Sequence, residues 1–198
     1  MTLIKLGLTG PTGAGKSTVA RLLEQNGIPL VDADAIARTV TEKGSPVLSA
    51  LADTFGKDIL FPDGSLDRRA LAAVAFSSKE NTEKLNAVTH PAILARIRRA
   101  LADATGDAVV LDAPLLFETG LDALCDHTVA IVADEAVRLA RITARDGISE
   151  EAAKKRMAVQ PDTAFYAAHA DILLYNNGDR SPAMLASDLL AQIGRWRT

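Results

Sequence analysis

The sequence predicts an α/β fold, with a five-stranded parallel sheet between layers of helices. Three features carry that prediction. Short apolar runs at residues 3–8, 28–31, 108–112, 128–132 and 171–175 read as buried strands. Longer stretches with apolar residues at helical spacing, such as Val19, Leu22 and Leu23, lie between them. A glycine-rich loop joins the first strand to the first helix, as ligand-binding loops do at the carboxyl edge of parallel sheets.

That loop reads Gly10-Pro11-Thr12-Gly13-Ala14-Gly15-Lys16-Ser17, followed by Thr18. It fits G-x-x-x-x-G-K-[ST], the phosphate-cradling P-loop, in its required setting of strand, loop and helix. The Gly13-Ala14-Gly15 segment can curl tightly and turn backbone N–H groups inward as an anion nest. The helix starting near Lys16 adds its positive dipole end and unpaired amides. Lys16 can reach the β- and γ-phosphates of a nucleotide as a point charge, and the Ser17 hydroxyl can take a place on Mg²⁺. Thr18 is a further donor near the α-phosphate. The expected architecture is a P-loop NTPase with a three-layer α/β/α core.

Composition narrows the class. With 198 residues, 48% hydrophobic and 24% charged, the chain is expected to form one domain, residues 1–198, with small insertions. A net charge of −3 argues against broad nucleic-acid binding, so any anion site must be local. Cys125 is the single cysteine, which suits a reducing, cytoplasmic compartment. The longest apolar run, residues 70–76, is too short to span a bilayer. No small-residue cleavage site follows the N-terminal apolar stretch, so neither a secretion signal nor membrane attachment is expected.

Along the chain, Gly27 reads as the stop of the first helix. The second strand ends in Asp32-Ala33-Asp34. Two carboxylates at a strand end can hold a metal-bound water and accept a proton from an attacking hydroxyl. Either can equally cap the helix that follows, and position alone leaves both readings open. Residues 35–105 read as a helical insert, with helices expected at 35–42, 46–55, 67–76, 79–88 and 91–104. Pro91 suits the first position of the last of these, and His90 beside it is a candidate substrate contact. Arg68 and Arg69 read as a solvated face.

The third strand ends in Asp112, placed to support Mg²⁺. The Leu115-Leu116-Phe117 run that follows suits packing or the wall of an acceptor pocket. A helix at 135–145, with Asp134 as its expected N-cap, carries Arg138, Arg141 and Arg145 on one face. Gly147 separates it from a second basic helix at 149–159, with Gln160 just beyond. Basic helix, glycine, basic helix suggests a lid over residues 138–168 whose guanidiniums meet a moving phosphoryl group. Asn176 and Asn177, after the last strand, can read an adenine edge or form a turn. Ser181-Pro182 opens a final helix.

These motifs, in this order and spacing, resemble the dephospho-CoA kinase family. The resemblance rests on the P-loop, Asp32-Ala33-Asp34, His90-Pro91, the run from Asp112 to Glu118, Arg141 and Arg145, and Asn176-Asn177-Gly178. It implies transfer of the ATP γ-phosphoryl group to the ribose 3′-hydroxyl of dephospho-CoA. Asp34 is then the general base, Lys16 and Ser17 serve ATP and Mg²⁺, and Arg141 and Arg145 clamp phosphates from the lid. Asp32 and Asp112 become candidate metal supports, and His90, Leu115 and Phe117 candidate acceptor contacts. Oligomeric state is not encoded legibly, and a monomer is the expectation.

Two positions depart from the family's habit. Pro11 stands where a second glycine is common and removes one backbone N–H. The segment 164–169 lacks the basic residues often found before the last strand. The main alternative is a nucleoside or nucleotide kinase with another acceptor. A GTPase-like switch would carry an Asn/Thr-Lys-x-Asp motif, and the sequence has none.

Overall fold

In the computed structural model, which describes residues 3–197, strand β1 (Ile4–Thr9) runs through the centre of a five-stranded parallel sheet. β3 (Ala108–Asp112) flanks it on one side, with Leu8 opposite Asp112. β4 (His127–Val132) flanks it on the other, with Leu6 opposite His127. β2 (Leu30–Asp32) and β5 (Ile172–Tyr175) form the edges, giving the order β2-β3-β1-β4-β5. The chain fills one side of β1 before it crosses to the other. The carboxyl end of β1 is therefore a topological switch point, where open α/β sheets place ligands.

Period-two alternation assigns the faces of β1. Leu6 and Leu8 are fully buried among Val19 and Leu23 of α1 (Lys16–Gln25) and Leu185, Leu189 and Ile193 of α9 (Pro182–Trp196). Gly7 points the opposite way, where an added Cβ would meet Leu116 Cδ2 at 2.8 Å and Cys125 Sγ at 2.9 Å. Tyr166 of α8 (Thr163–His169) covers Ala130 and Val132 of β4. Helices on both faces explain why every residue of β3 is buried. Each fully buried leucine contributes about 1.5–3 kcal/mol relative to exposure. The expected α/β class and parallel sheet hold.

The chain divides into two compact units. One runs to Val31 and resumes at Asp103, and the other is Asp32–Ala102. The second is helical. Asp32 caps α2 (Ala33–Thr39), accepting the Ala35 N–H at 2.9 Å. Ser45 caps α3 (Pro46–Phe55), and Asp67 caps α4 (Arg68–Ala75) through the N–H groups of Arg69 and Ala70. Leu51, Ile59, Leu71 and Ala75 form its core, with Leu85 and Val88 packed against them. Arg68 is exposed, and its guanidinium donates to the Arg38 carbonyl at 3.0 Å and to Thr41 Oγ1 at 3.1 Å.

The structure corrects several expected boundaries. The second strand lies at Leu30–Asp32, two residues later at its start than 28–31. The break expected at His90-Pro91 is absent. One helix, α5 (Lys79–Asp103), runs straight through Pro91. Proline there forfeits the bond to the Ala87 carbonyl, a local cost of about 3 kcal/mol. Packing at Leu85 and Val88 before it, and burial of Ile97 and Leu101 after it, hold both halves in one helix. Asp134 occupies the N-cap position of α6 (Glu135–Asp146), but its side chain makes no cap bond. Its own N–H instead donates to Asn177 Oδ1 at 2.8 Å. Helix α8, capped by Asp162, was not expected as a separate element. Among the described residues no helix is long and apolar enough to cross a membrane.

Burial beneath the sheet pushes the Cys125 thiol up from its ordinary 9.0 to about 12, and the Asp122 and Asp126 carboxylates reinforce the shift. The folded state thus favours the protonated thiol. That contribution to stability is complete below the unfolded pKa and is lost as pH rises from about 9 toward 12. The native protein should react slowly with a thiol reagent at pH 8, at a rate that jumps on unfolding in urea. Rapid, complete labelling of the folded chain would contradict this burial.

Candidate active site

The site grows out of the end of β1. Gly10, at φ +145°, lies so close to the Ile131 carbonyl that any Cβ would collide with backbone. Pro11 follows, and its carbonyl accepts the Ala14 N–H at 3.2 Å in a tight turn. Gly15, at φ +92°, leads into α1, and a Cβ there would strike the Asn176 side-chain amide. Thr18 and Val19 close the first helical turn on the Gly15 carbonyl at 3.1 and 3.3 Å. Among the described residues, the backbone N–H groups of Gly13, Gly15, Lys16 and Ser17 meet no protein acceptor. Unsatisfied amides gathered at a helix N-terminus bind anions.

Lys16 directs its ammonium to Asp112 Oδ1, and both side chains are nearly buried. Strand register makes the pair: Asp112 ends β3 directly beside Leu8 of β1. Two further bonds fix this corner, Ala113 N–H to the Leu8 carbonyl at 3.0 Å and Thr9 Oγ1 to the Pro114 carbonyl at 3.1 Å. Ser17 and Thr18 are exposed on the first turn of α1. The described residues hold no group of three or more His, Cys, Asp or Glu side chains able to bind a metal. A divalent ion here would share few protein oxygens with phosphate and water, which is the habit of Mg²⁺. Ser17 and Asp112 fit that donor set.

The loop is braced by side chains from the last third of the chain. Asn176 is 2% exposed, and its Nδ2 donates to the Ala14 carbonyl at 2.7 Å. Arg141 spreads over the same turn, with Nη1 3.4 Å from the Gly13 carbonyl and Nη2 3.5 Å from Asn176 Oδ1. Asn176 therefore fixes the loop through the Ala14 carbonyl. Asn177 likewise ties β5 to the start of α6 through Asp134. Arg138 is buried rather than presented on a basic face. These bracing roles were not anticipated, because their partners are far away in sequence.

The remaining candidates are placed as follows. Arg145 lies on the exposed end of α6 and chelates its neighbour Asp146, Nε to Oδ1 at 2.7 Å and Nη2 to Oδ2 at 3.0 Å. Arg156 of α7 (Glu150–Ala158) joins the same carboxylate. The Arg145 bonds, with those of Arg156, hold the Asp146 carboxyl down to about 2, so the cluster stays charged at neutral pH. Leu116 is fully buried while Leu115 is exposed, and Phe117 packs edge-on to Phe165 at 6.1 Å. In the other unit, Asp34 lies exposed in the first turn of α2, behind the Asp32 cap. His90 is exposed on α5.

With this geometry in place, the family model described as dephospho-CoA kinase matches residues 4–181. The chain belongs to the dephospho-CoA kinase family. A dephospho-CoA kinase of Corynebacterium efficiens is 43% identical over 195 residues, covering 96% of this chain and 98% of that relative. A crystal structure of a Thermus thermophilus protein superposes with a TM-score of 0.83 at 33% identity, covering 97% of this chain and 98% of that one. A shikimate kinase from Acinetobacter baumannii superposes at a TM-score of 0.51 and 19% identity, covering 97% and 93%, a likeness of fold alone. Membership in this family fits a loop whose amides are left open to phosphate.

Replacing Asn176 with Ala strands the buried Ala14 carbonyl and should cost about 1–3 kcal/mol of folding free energy, read by urea denaturation. Gly15→Ala combines a strained φ with a collision against Asn176, and should weaken nucleotide binding more than it lowers the melting temperature. Wild-type nucleotide affinity in the Ala variant would contradict the packing of this turn.

Proposed function

We propose that this chain transfers the γ-phosphoryl group of ATP to the ribose 3′-hydroxyl of dephospho-CoA, giving coenzyme A and ADP. The observation that carries this reading is the set of open amides at Gly13, Gly15, Lys16 and Ser17, joined to membership in the family. Phosphoryl transfer depends on positioning and charge stabilisation, which is what such a nest supplies. Lys16 leaves Asp112 for the β- and γ-phosphates. Asp112 and Ser17 would hold Mg²⁺, with Asp32 as a further support, and the ion would neutralise charge on the phosphate oxygens. Arg141 and Arg145 answer charge on the transferred group.

Asp34 is assigned as the base that takes the proton of the 3′-hydroxyl. The helical unit Asp32–Ala102 is read as the acceptor-binding insert, and residues 138–168 as the lid. His90, Leu115 and Phe117 are acceptor contacts in this reading, and the compartment is the cytoplasm. The deciding experiment supplies ATP, Mg²⁺ and dephospho-CoA and looks for coenzyme A by mass. Failure to form it, with turnover of another alcohol in an acceptor screen coupled to ADP release, would move the chain to a different substrate.

Two variants test the assigned roles. Asp34→Asn should lower kcat by roughly 10²–10⁴ with little change in ATP KM, because only proton transfer is lost. Near-normal kcat in that variant would remove the base assignment. Lys16→Ala should weaken ATP binding and slow turnover together, and normal kinetics would remove the phosphate role of Lys16.

A further inference from the structure

Thr12 lies in the middle of the phosphate loop, yet its peptide faces away from the nest. Its N–H donates to Gln160 Oε1 at 3.0 Å, and its carbonyl accepts from Arg138 Nε at 2.9 Å. Arg138 Nη2 donates to the same Gln160 oxygen at 3.1 Å and closes the ring. Pro11 has no N–H, and the Ala14 N–H is spent on the Pro11 carbonyl. The proline therefore costs the nest nothing: the first part of the loop is committed to the scaffold, and open donors begin at Gly13.

Two features set this ring apart from packing. Arg138 is 8% exposed, and among the described residues neutral oxygens alone accept its hydrogen bonds. A buried charge is often no better for stability than an apolar side chain of similar size. What a guanidinium adds is direction, here the orientation of the Thr12 carbonyl. The ring also brackets the basic helices: Arg138 lies on α6, and Gln160 lies just beyond α7, its N–H bonded to the Met157 carbonyl at 3.1 Å.

We propose that Gln160 is a positioning residue that, with Arg138, turns the Thr12 peptide outward so that the Gly13, Gly15, Lys16 and Ser17 donors converge on one phosphate chain. The same oxygen ties both ends of the α6–α7 segment to that loop, so any motion of the segment is confined to the stretch between them. The proposal rests on the reading of the chain as a nucleotide-dependent kinase, without depending on its acceptor.

Gln160→Leu removes the acceptor at nearly constant volume, and Gln160→Glu keeps it beside Arg138. Binding of ADP by calorimetry needs no acceptor substrate. Gln160→Leu should weaken ADP binding about tenfold and raise ATP KM to match, as loss of one buried charge-assisted bond does. The KM for dephospho-CoA should stay within about twofold, and Gln160→Glu should return ADP affinity to within about threefold of wild type. Wild-type ADP affinity in a folded Leu variant, or a Glu variant no better than Leu, would overturn the proposal. Should the Leu variant melt below the assay temperature, Gln160→Ala carries the same expectation. If the wild type makes no coenzyme A while the ADP results follow this pattern, the acceptor assignment falls and the positioning role stands.

Discussion

A loop that leaves its amides open to an anion cannot hold itself together, because those amides are the bonds that would ordinarily fix its shape. This constraint organises the phosphate-binding unit. The Gly13, Gly15, Lys16 and Ser17 donors are free only because other groups hold the loop's carbonyls and its remaining amides. Asn176 takes the Ala14 carbonyl, Arg138 takes that of Thr12, and Gln160 takes the Thr12 amide. The sheet supplies the frame: β1 at its centre brings the loop beside Asp112 on one neighbour and the Ile131 carbonyl on the other. A central strand flanked on both sides is rigid, which a preorganised anion site requires.

Charge is arranged around the same idea. Lys16 is paired with Asp112, and Arg145 and Arg156 are paired with Asp146. Lys16 and Asp112 are both nearly buried, and leaving either charge there unpaired would carry a desolvation cost. Arg141, by contrast, lies over the loop with only long contacts to two carbonyls and an amide oxygen.

Much of this was legible in the sequence where the governing interactions are local. The glycines, Lys16 and Ser17 announce the loop within a single run, apolar runs announce the strands, and Ser181 announces a helix start by bonding three residues ahead. The capping alternative for Asp32 proved to be a real contact for the same reason. What stayed hidden is long-range or competitive. Asn176 reaches back 162 positions to Ala14, and Gln160 reaches back 148 to Thr12, so neither partner can be inferred from neighbours. Pro91 read as a helix start because local rules forbid it inside a helix, and packing on either side overrode them. Asp134 read as a cap, but its N–H is taken by Asn177 in the turn after β5.

The bracing of the loop has a consequence for biosynthesis. The motif is made before Arg138, Gln160 and Asn176, which follow their partners in the loop by 126, 148 and 162 positions. Until then the glycine run lacks the side chains that open it, and a nascent chain carries the signature without the grip. The open form of the loop therefore waits for residues synthesised well after it.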